Sequence, residues 1–181
     1  YVAMAESGFD ASARSKAGAV GLWQFMKRTG KHYGLRVDHW VDQRRAPEAA
    51  SHAAARFLSE LHRRFDSWEL ALAAYNMGYG GLLRSIRKYN TNDYWLLSNL
   101  EAGLPFETRM YVAKITAAAI IGRNRARFGF ANLAMLPAQQ TEVIKVPAGT
   151  PLGRIARFAG VELETLQTLN ADLLRKRIPP D

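Results

Sequence analysis

Apolar and polar positions along the chain alternate with helical periods over most of its length. Tyr1-Val2-Ala3-Met4-Ala5 is an apolar stretch closed by a carboxylate, Glu6, and reads as the end of a buried helix. Apolar residues at 22, 23, 25, 26 and 33 predict a short helix from Trp23 to Tyr33, which Gly34 can close from a left-handed position. Residues 35–45 are mixed and read as a loop with a short turn. Pro47 sits where a helix starts, and Ala50, Ala53, Ala54, Phe57, Leu58 and Leu61 recur at three- and four-residue steps to Phe65, predicting a long helix with an alanine-rich contact face. Asp66-Ser67 can cap the next helix, whose Trp68, Leu70, Ala71, Leu72, Ala74 and Tyr75 leave almost no polar face. Such a helix is central, and it carries Tyr75 and Asn76 to its end before Gly78, Gly80 and Gly81 break it.

Leu82–Tyr89 predicts a short basic helix, and Asn92–Leu100 another around Tyr94, Trp95 and Leu96. Pro105 opens the last long helix, with Glu107 in its first turn, where a carboxylate suits the helix dipole. Met110, Val112, Ile115, Ala118, Ala119 and Ile120 or Ile121 supply its buried face, and Arg123, Arg125 and Arg127 suit its end before Gly129. Periodicity lapses over 131–141, a linker. Alternation over 142–146 then predicts a strand, Pro147–Thr150 a turn, and two short helices follow, one on Leu152, Ile155, Ala156 and Phe158 and one on Leu163, Leu166 and Leu169, separated by Gly160. The fold class is mainly α, in two parts: a helical domain over 1–130 and a small βαα piece over 142–181.

Composition narrows the class. At 181 residues and 48% hydrophobic the chain can bury one sizeable core with room for a small second module. No apolar run approaches the roughly 20 residues that span a bilayer, and Tyr1-Val2-Ala3 has no basic leader, so the chain reads as a fragment that opens inside a helix. The absence of cysteine excludes disulfides and thiolate chemistry. His32, His39, His52 and His62 show no paired ligand spacing, so no metal is expected. The net charge of +9 lies mostly in residues 1–138, with 19 Lys and Arg against 11 Asp and Glu. A basic domain is drawn to polyanions. There is no zinc-finger spacing, RNP signature or dense basic helix to single out nucleic acid; a polymer bearing carboxylates and phosphates suits the charge as well, and on charge alone a solvated surface is the commonest explanation.

The candidate chemistry gathers after Glu6. A carboxyl on the last turn of a buried helix loses solvent, which raises its pKa and lets it carry a proton near neutral pH. Gly8, Gly18 and Gly21 remove side chains where a polymer could approach the backbone. Taken alone, the same pattern also describes a solvated Glu before a glycine-containing loop.

Five separated blocks decide between these readings. Glu6-Ser7, Ser15 nine residues on, Gly21-Leu22-Trp23-Gln24, Ala74-Tyr75-Asn76 with Gly78, and Pro105-Phe106-Glu107-Thr108-Arg109 leading to Tyr111-Val112 together resemble the lytic transglycosylases of the soluble-transglycosylase type over residues 1 to 130. Within that family the chain is similar to the membrane-bound transglycosylase D group, which adds LysM modules, and residues 142–181 resemble part of one, with Ala148-Gly149-Thr150-Pro151-Leu152 where LysM usually has Gly-Asp-Thr-Leu. Either glycan binding or docking against the first domain suits that piece.

The resemblance implies a lysozyme-like lobe and cleavage of the β-1,4 bond between N-acetylmuramic acid and N-acetylglucosamine without water, giving 1,6-anhydro ends. Glu6 would act first as acid and then as base, with a pKa lifted toward about 6. Ser15 and Gln24 would bond the sugar, Tyr75 would contact Glu6 or the N-acetyl group, Asn76 would support the same wall, and Glu107 with Tyr111 would form a supporting pair. Glu107 is also a competing carboxylate, and facing Glu6 across a water it would make the chain a hydrolytic muramidase. A non-catalytic wall-binding or scaffolding protein is the third reading. Trp23, where many members have Met, and Tyr79 depart from the family pattern. The resemblance implies no cofactor, peptidoglycan strands as partner, a monomer, and a periplasmic or outer-membrane location in the bacterial envelope, attached through a segment outside this chain.

Overall fold

The computed structural model describes residues 1–134, 137 and 140–180. Nine α-helices lie among them: α1 (Val2–Ser7), α2 (Lys27–His32), α3 (Pro47–Phe65), α4 (Trp68–Met77), α5 (Tyr79–Tyr89), α6 (Tyr94–Asn99), α7 (Phe106–Arg123), α8 (Leu152–Ala159) and α9 (Leu163–Leu169). They fall into two compact units that interleave along the chain, one of Tyr1–Ala5 with Ala54–Asn132, the other of Glu6–Ala53 with Leu133–Asp181.

In the first unit α4 is the core, as its apolar surface predicts. Leu70, Ala71, Ala73 and Ala74 are fully buried, and the helix packs on α5 and α7. Ser67 starts it, its Oγ accepting from the Leu70 N–H at 3.2 Å. Small side chains on α4 let its neighbours approach closely. Gly78, at φ +85, ends α4 by itself. Gly80 and Gly81, expected as breakers, lie inside α5, which therefore starts at Tyr79 rather than Leu82. On α6 the Asp93 carboxylate caps the Trp95 and Leu96 N–H groups. Tyr94 and Leu97 are buried while Trp95 and Leu96 face outward.

The buried stripe of α7 is Thr108, Tyr111, Val112 and Ile115, a spacing of i, i+3, i+4, i+7. Met110, expected on this face, is exposed, and of Ile120 and Ile121 the second is the half-buried one. A polar residue, Thr108, takes the stripe's first position because its hydroxyl has a buried-side partner on α4.

The second unit is built on loops. The helix predicted from Trp23 begins only at Lys27. Val20 and Phe25 exchange both backbone bonds at 3.1 Å, and Gln24 sits at φ +47, which takes 21–25 out of helical geometry. Residues 35–45 form the expected loop, with a 3-10 turn at Gln43–Arg45. Residues 142–146 form no strand: Val143 is 95% exposed, and an extended segment without a paired neighbour has no ladder to join. The Pro147–Thr150 turn, α8 and α9 are present, with Gly160 closing α8 from φ +66. Leu152, Ile155 and Ala156 are buried, but Phe158 is 92% exposed. Two short antiparallel contacts bind the end of the chain into this unit. Pro151 pairs with Arg177, and Val41 pairs with Leu173, flanked by bonds from Asp42 N–H to the Asp172 carbonyl and from Leu174 N–H to the Trp40 carbonyl, both 2.8 Å.

Gly21 is the tightest point. It is buried at φ +83, and a Cβ there would lie 1.8 Å from the Arg44 carbonyl oxygen. Gly21→Ala should cost about 2–5 kcal/mol from left-handed strain plus overpacking. The change is read as a lowered urea midpoint at unchanged m-value; a midpoint equal to wild type would contradict the close approach.

Candidate active site

Glu6 occupies the last turn of α1 and is half-buried. The neighbouring Ser7 anchors that helix end: its Oγ donates to the Leu22 carbonyl at 2.9 Å, binding the turn that bears the acid to the loop that bears Gln24. Gly8 (φ +61) and Phe9 (φ +69) then turn the chain through two consecutive left-handed residues. For a bulky, 61% exposed Phe9 this conformation is strained, of the kind that collects at functional sites. Asp10 fixes the following turn by accepting from the Ser12 hydroxyl and N–H, both 2.7 Å, bonds that hold its carboxyl below the ordinary range.

Ser15 and Gln24 shape the loop as much as they offer groups to a ligand. Ser15 Oγ accepts from Ala19 N–H at 3.0 Å, while its backbone N–H donates to the Ala19 carbonyl. The hydroxyl keeps its own hydrogen as a donor. Gln24 Nε2 donates to the Gly21 carbonyl at 2.9 Å and to the Ala13 carbonyl at 3.3 Å. Both amide hydrogens are thus engaged, and Oε1, an acceptor, is the group Gln24 can present to a ligand. Trp23 is pinned by its Nε1–H to Ser51 Oγ at 2.9 Å.

Beneath this loop lies a residue pair that the sequence reading passed over inside a "mixed" segment. Asp42 and Arg44 are both 6% exposed. Arg44 Nε and Nη2 bind the two Asp42 oxygens at 2.8 and 2.7 Å, and Nη1 donates to the Phe25 and Gly18 carbonyls at 3.0 and 3.2 Å. Burial opposes ionisation of Asp42, but the Arg44 hydrogen bonds and charge outweigh it and hold the pKa below 3.8. Asp172 moves the other way, pushed up by burial with the Asp42 charge adding to it. An acid two residues before an arginine was the available signal, yet surface loops carry such pairs constantly.

The first unit holds the other four predicted residues. Tyr75 is half-buried in the last turn of α4, its ring 5.0 Å from that of Phe57. Asn76 Oδ1 accepts from Thr108 Oγ at 2.8 Å, so the amide after the apolar helix has the partner that burial demands. Thr108, 1% exposed, stands in the fifth sequence block without a role assigned to it there. It joins the end of α4 to the first turn of α7, where Glu107 is exposed and Tyr111, four residues on, is buried. The predicted residues are therefore assembled as two sets, Glu6 with Ser15 and Gln24 in one unit, Tyr75 and Asn76 with Glu107 and Tyr111 in the other.

Comparison with known proteins agrees with the motif order. Residues 1–98 match the family model of the transglycosylase SLT domain. The chain is 33% identical over 171 residues to membrane-bound lytic murein transglycosylase D of Escherichia coli (strain K12), an alignment covering 92% of this chain and 37% of that protein. It is 44% identical over 100 residues to the peptidoglycan transglycosylase gp16 of Escherichia phage T7, covering 54% of this chain and 8% of the phage protein. The lytic transglycosylase Slt of Pseudomonas aeruginosa, solved as an inactive glutamate-to-glutamine mutant, superposes with a TM-score of 0.55 at 30% identity, covering 70% of this chain and 21% of that one. The chain thus spans little more than a third of the length of the first of these relatives.

Removing the Asp42 charge leaves Arg44 buried without its counter-ion, so Asp42→Asn should cost about 3–5 kcal/mol. The pH dependence has a definite sign. A carboxyl whose folded pKa lies below its unfolded value contributes stability above the unfolded value, and that stability is lost as pH falls through the folded pKa. Wild type should therefore lose more stability than Asp42→Asn on acidification below about pH 4; parallel urea-derived stability curves for the two would refute the assignment. Asp172, shifted oppositely, is common to both proteins and largely cancels.

Proposed function

Since this chain belongs to the transglycosylase SLT domain family, we propose that it is a peptidoglycan lytic transglycosylase in which Glu6 performs both proton transfers. The observation that carries this reading is the placement of Glu6 on the last turn of α1, tied through Ser7 to the Leu22 carbonyl beside Gln24. One half-buried acid is thereby held at a loop that presents a hydroxyl donor from Ser15 and an amide acceptor from Gln24.

Glu6 starts protonated. It gives its proton to the glycosidic oxygen as the bond to the anomeric carbon breaks, and the departing sugar leaves with a new hydroxyl. The carboxylate so formed stabilises positive charge at the anomeric carbon, then takes the proton of the muramyl 6-hydroxyl as that oxygen closes the 1,6-anhydro ring. Glu6 ends protonated, ready for the next cycle, and no water is consumed. The cycle needs an acid that can both give and take a proton at the working pH. Ser15 and Gln24 hold the sugar next to the reacting bond; Tyr75 and Asn76 contact substrate, with Asn76 fixed by Thr108. Glu107 and Tyr111 support the start of α7. The inactivity of the Pseudomonas Slt mutant supports reliance on one glutamate in this family.

The same reading covers the domains and the setting. Residues 1–130 form the catalytic domain, 131–141 the linker and 142–181 a LysM-like piece; Met135, Leu136, Ala138 and Gln139 lie outside the described residues. Among the described residues no helix is long and apolar enough to cross a membrane. The protein acts as a monomer on glycan strands in the bacterial cell envelope, a setting supported by the membrane-bound description of its Escherichia coli relative.

Mass spectrometry of muropeptides released from purified peptidoglycan tests the assignment. Anhydromuramyl ends, one water lighter than reducing ends, are expected, and Glu6→Gln should lower release by about 100-fold to 10,000-fold while still binding the wall. Reducing ends would instead mean a muramidase using Glu107 or a held water, and wall binding without any release would mean a scaffolding protein. Tyr75→Phe should reduce turnover more than wall binding; an unchanged rate would make Tyr75 a packing residue alone.

A further inference from the structure

Outside the candidate site, the first unit contains a cleft of about 560 Å³ between α5, the loop 101–105 and the start of α7. Three cations line it: Arg84 and Lys88, one turn apart on α5, and Arg109 on α7. None of the three forms an ion pair among the described residues. Like charges spaced i, i+4 on a helix repel, so folding alone gives no reason to place Arg84 beside Lys88. Arg109 is held in place, its Nη1 donating to the Ser98 carbonyl at 2.9 Å and its guanidinium lying 5.7 Å from the centre of the Phe106 ring. Its Nε is buried without a hydrogen-bond partner. That atom is closed to a ligand, so Nη2 and the second hydrogen of Nη1 are the donors Arg109 can offer in the cleft.

The rest of the lining narrows the ligand. Met77 and Phe106, the latter 70% exposed, give the cleft an apolar wall that a bare anion would leave empty. Glu101 adds a single carboxylate opposite in sign to the three cations. The complementary molecule has a carboxylate for the basic groups, an amine for Glu101 and small apolar groups for the wall. Arginine's planar fork suits a carboxylate in particular.

We propose that this cleft binds a short zwitterionic peptide of the kind that peptidoglycan strands carry, gripping its carboxylate with Arg84, Lys88 and Arg109 and its amine with Glu101. The identification of the peptide as a wall substituent rests on the function proposed above; the site itself does not. The cleft recognises peptide-bearing strands in preference to bare glycan.

Calorimetric titration of the full chain with alanyl-γ-D-glutamyl-lysine tests this. Binding is expected, with a loss of about tenfold or more in Arg84→Ala/Lys88→Ala and in a tripeptide whose carboxylates are amidated. Both substituted residues are exposed, so the variant's thermal midpoint should match wild type. Glu101→Gln supplies a second check, weakening the tripeptide but not the same peptide acetylated on its lysine side-chain amine, the amine that a strand-borne peptide keeps free. Absent binding, binding that ignores amidation, or inorganic phosphate binding as tightly as the tripeptide would each overturn the proposal. Because the readout is binding, a chain that takes the peptide yet cleaves no glycan would sink the transglycosylase reading and leave this one standing.

Discussion

The second unit depends on one buried ion pair. Asp42 and Arg44 carry opposite full charges into a site where each is 6% exposed. Such burial costs more than the attraction returns unless nearly every donor and acceptor is used. Here they are used: Nε and Nη2 take both Asp42 oxygens, and Nη1 takes the carbonyls of Gly18 and Phe25. The Asp42 backbone N–H meanwhile bonds the Asp172 carbonyl. Two neighbouring residues therefore fasten the 18–25 loop and the chain's last segment to the same point, and Gly21 lets the loop lie against the Arg44 backbone.

This constraint explains why the loop can be both irregular and ordered. Residues 8–25 contain two left-handed non-glycine residues, Phe9 and Gln24, which a free loop would relax. Ser7, Ser15, Gln24 and Arg44 hold it from its two ends and from below. The loop's polar groups are thus preorganised by bonds among themselves, and a ligand bound there would meet a lower ordering cost. The C-terminal piece is joined to this arrangement through the Asp172 carbonyl, which accepts from the Asp42 N–H.

The first unit uses a different device. Its rigid part is α4, apolar and small on nearly every face, and the polar residues at the end of α4 are positioned by packing rather than by a loop network. The Asn76–Thr108 bond connects that end to α7 at the first position of its buried stripe.

Most helices were legible in the chain because their signals are local: Pro47 and the alanine stripe for α3, Ser67 for α4, the left-handed Gly34 and Gly160 for two helix ends. Glu6, Ser15, Gln24, Tyr75 and Asn76 could be singled out because their order and spacing follow a family pattern, which needs no coordinates. What sequence could not supply were pairings between distant residues. Trp23–Phe25 reads as helix until Val20 bonds Phe25, and 142–146 reads as strand until no neighbour takes up its ladder. Arg44 reads as one more surface cation until its guanidinium is seen enclosed by carbonyls from 18 and 25. Local propensity and motif order, written in adjacent residues, determined the mainly helical class and the candidate acid; tertiary structure alone decided which polar groups are buried together, because that depends on contacts whose cost and return appear only when distant segments meet.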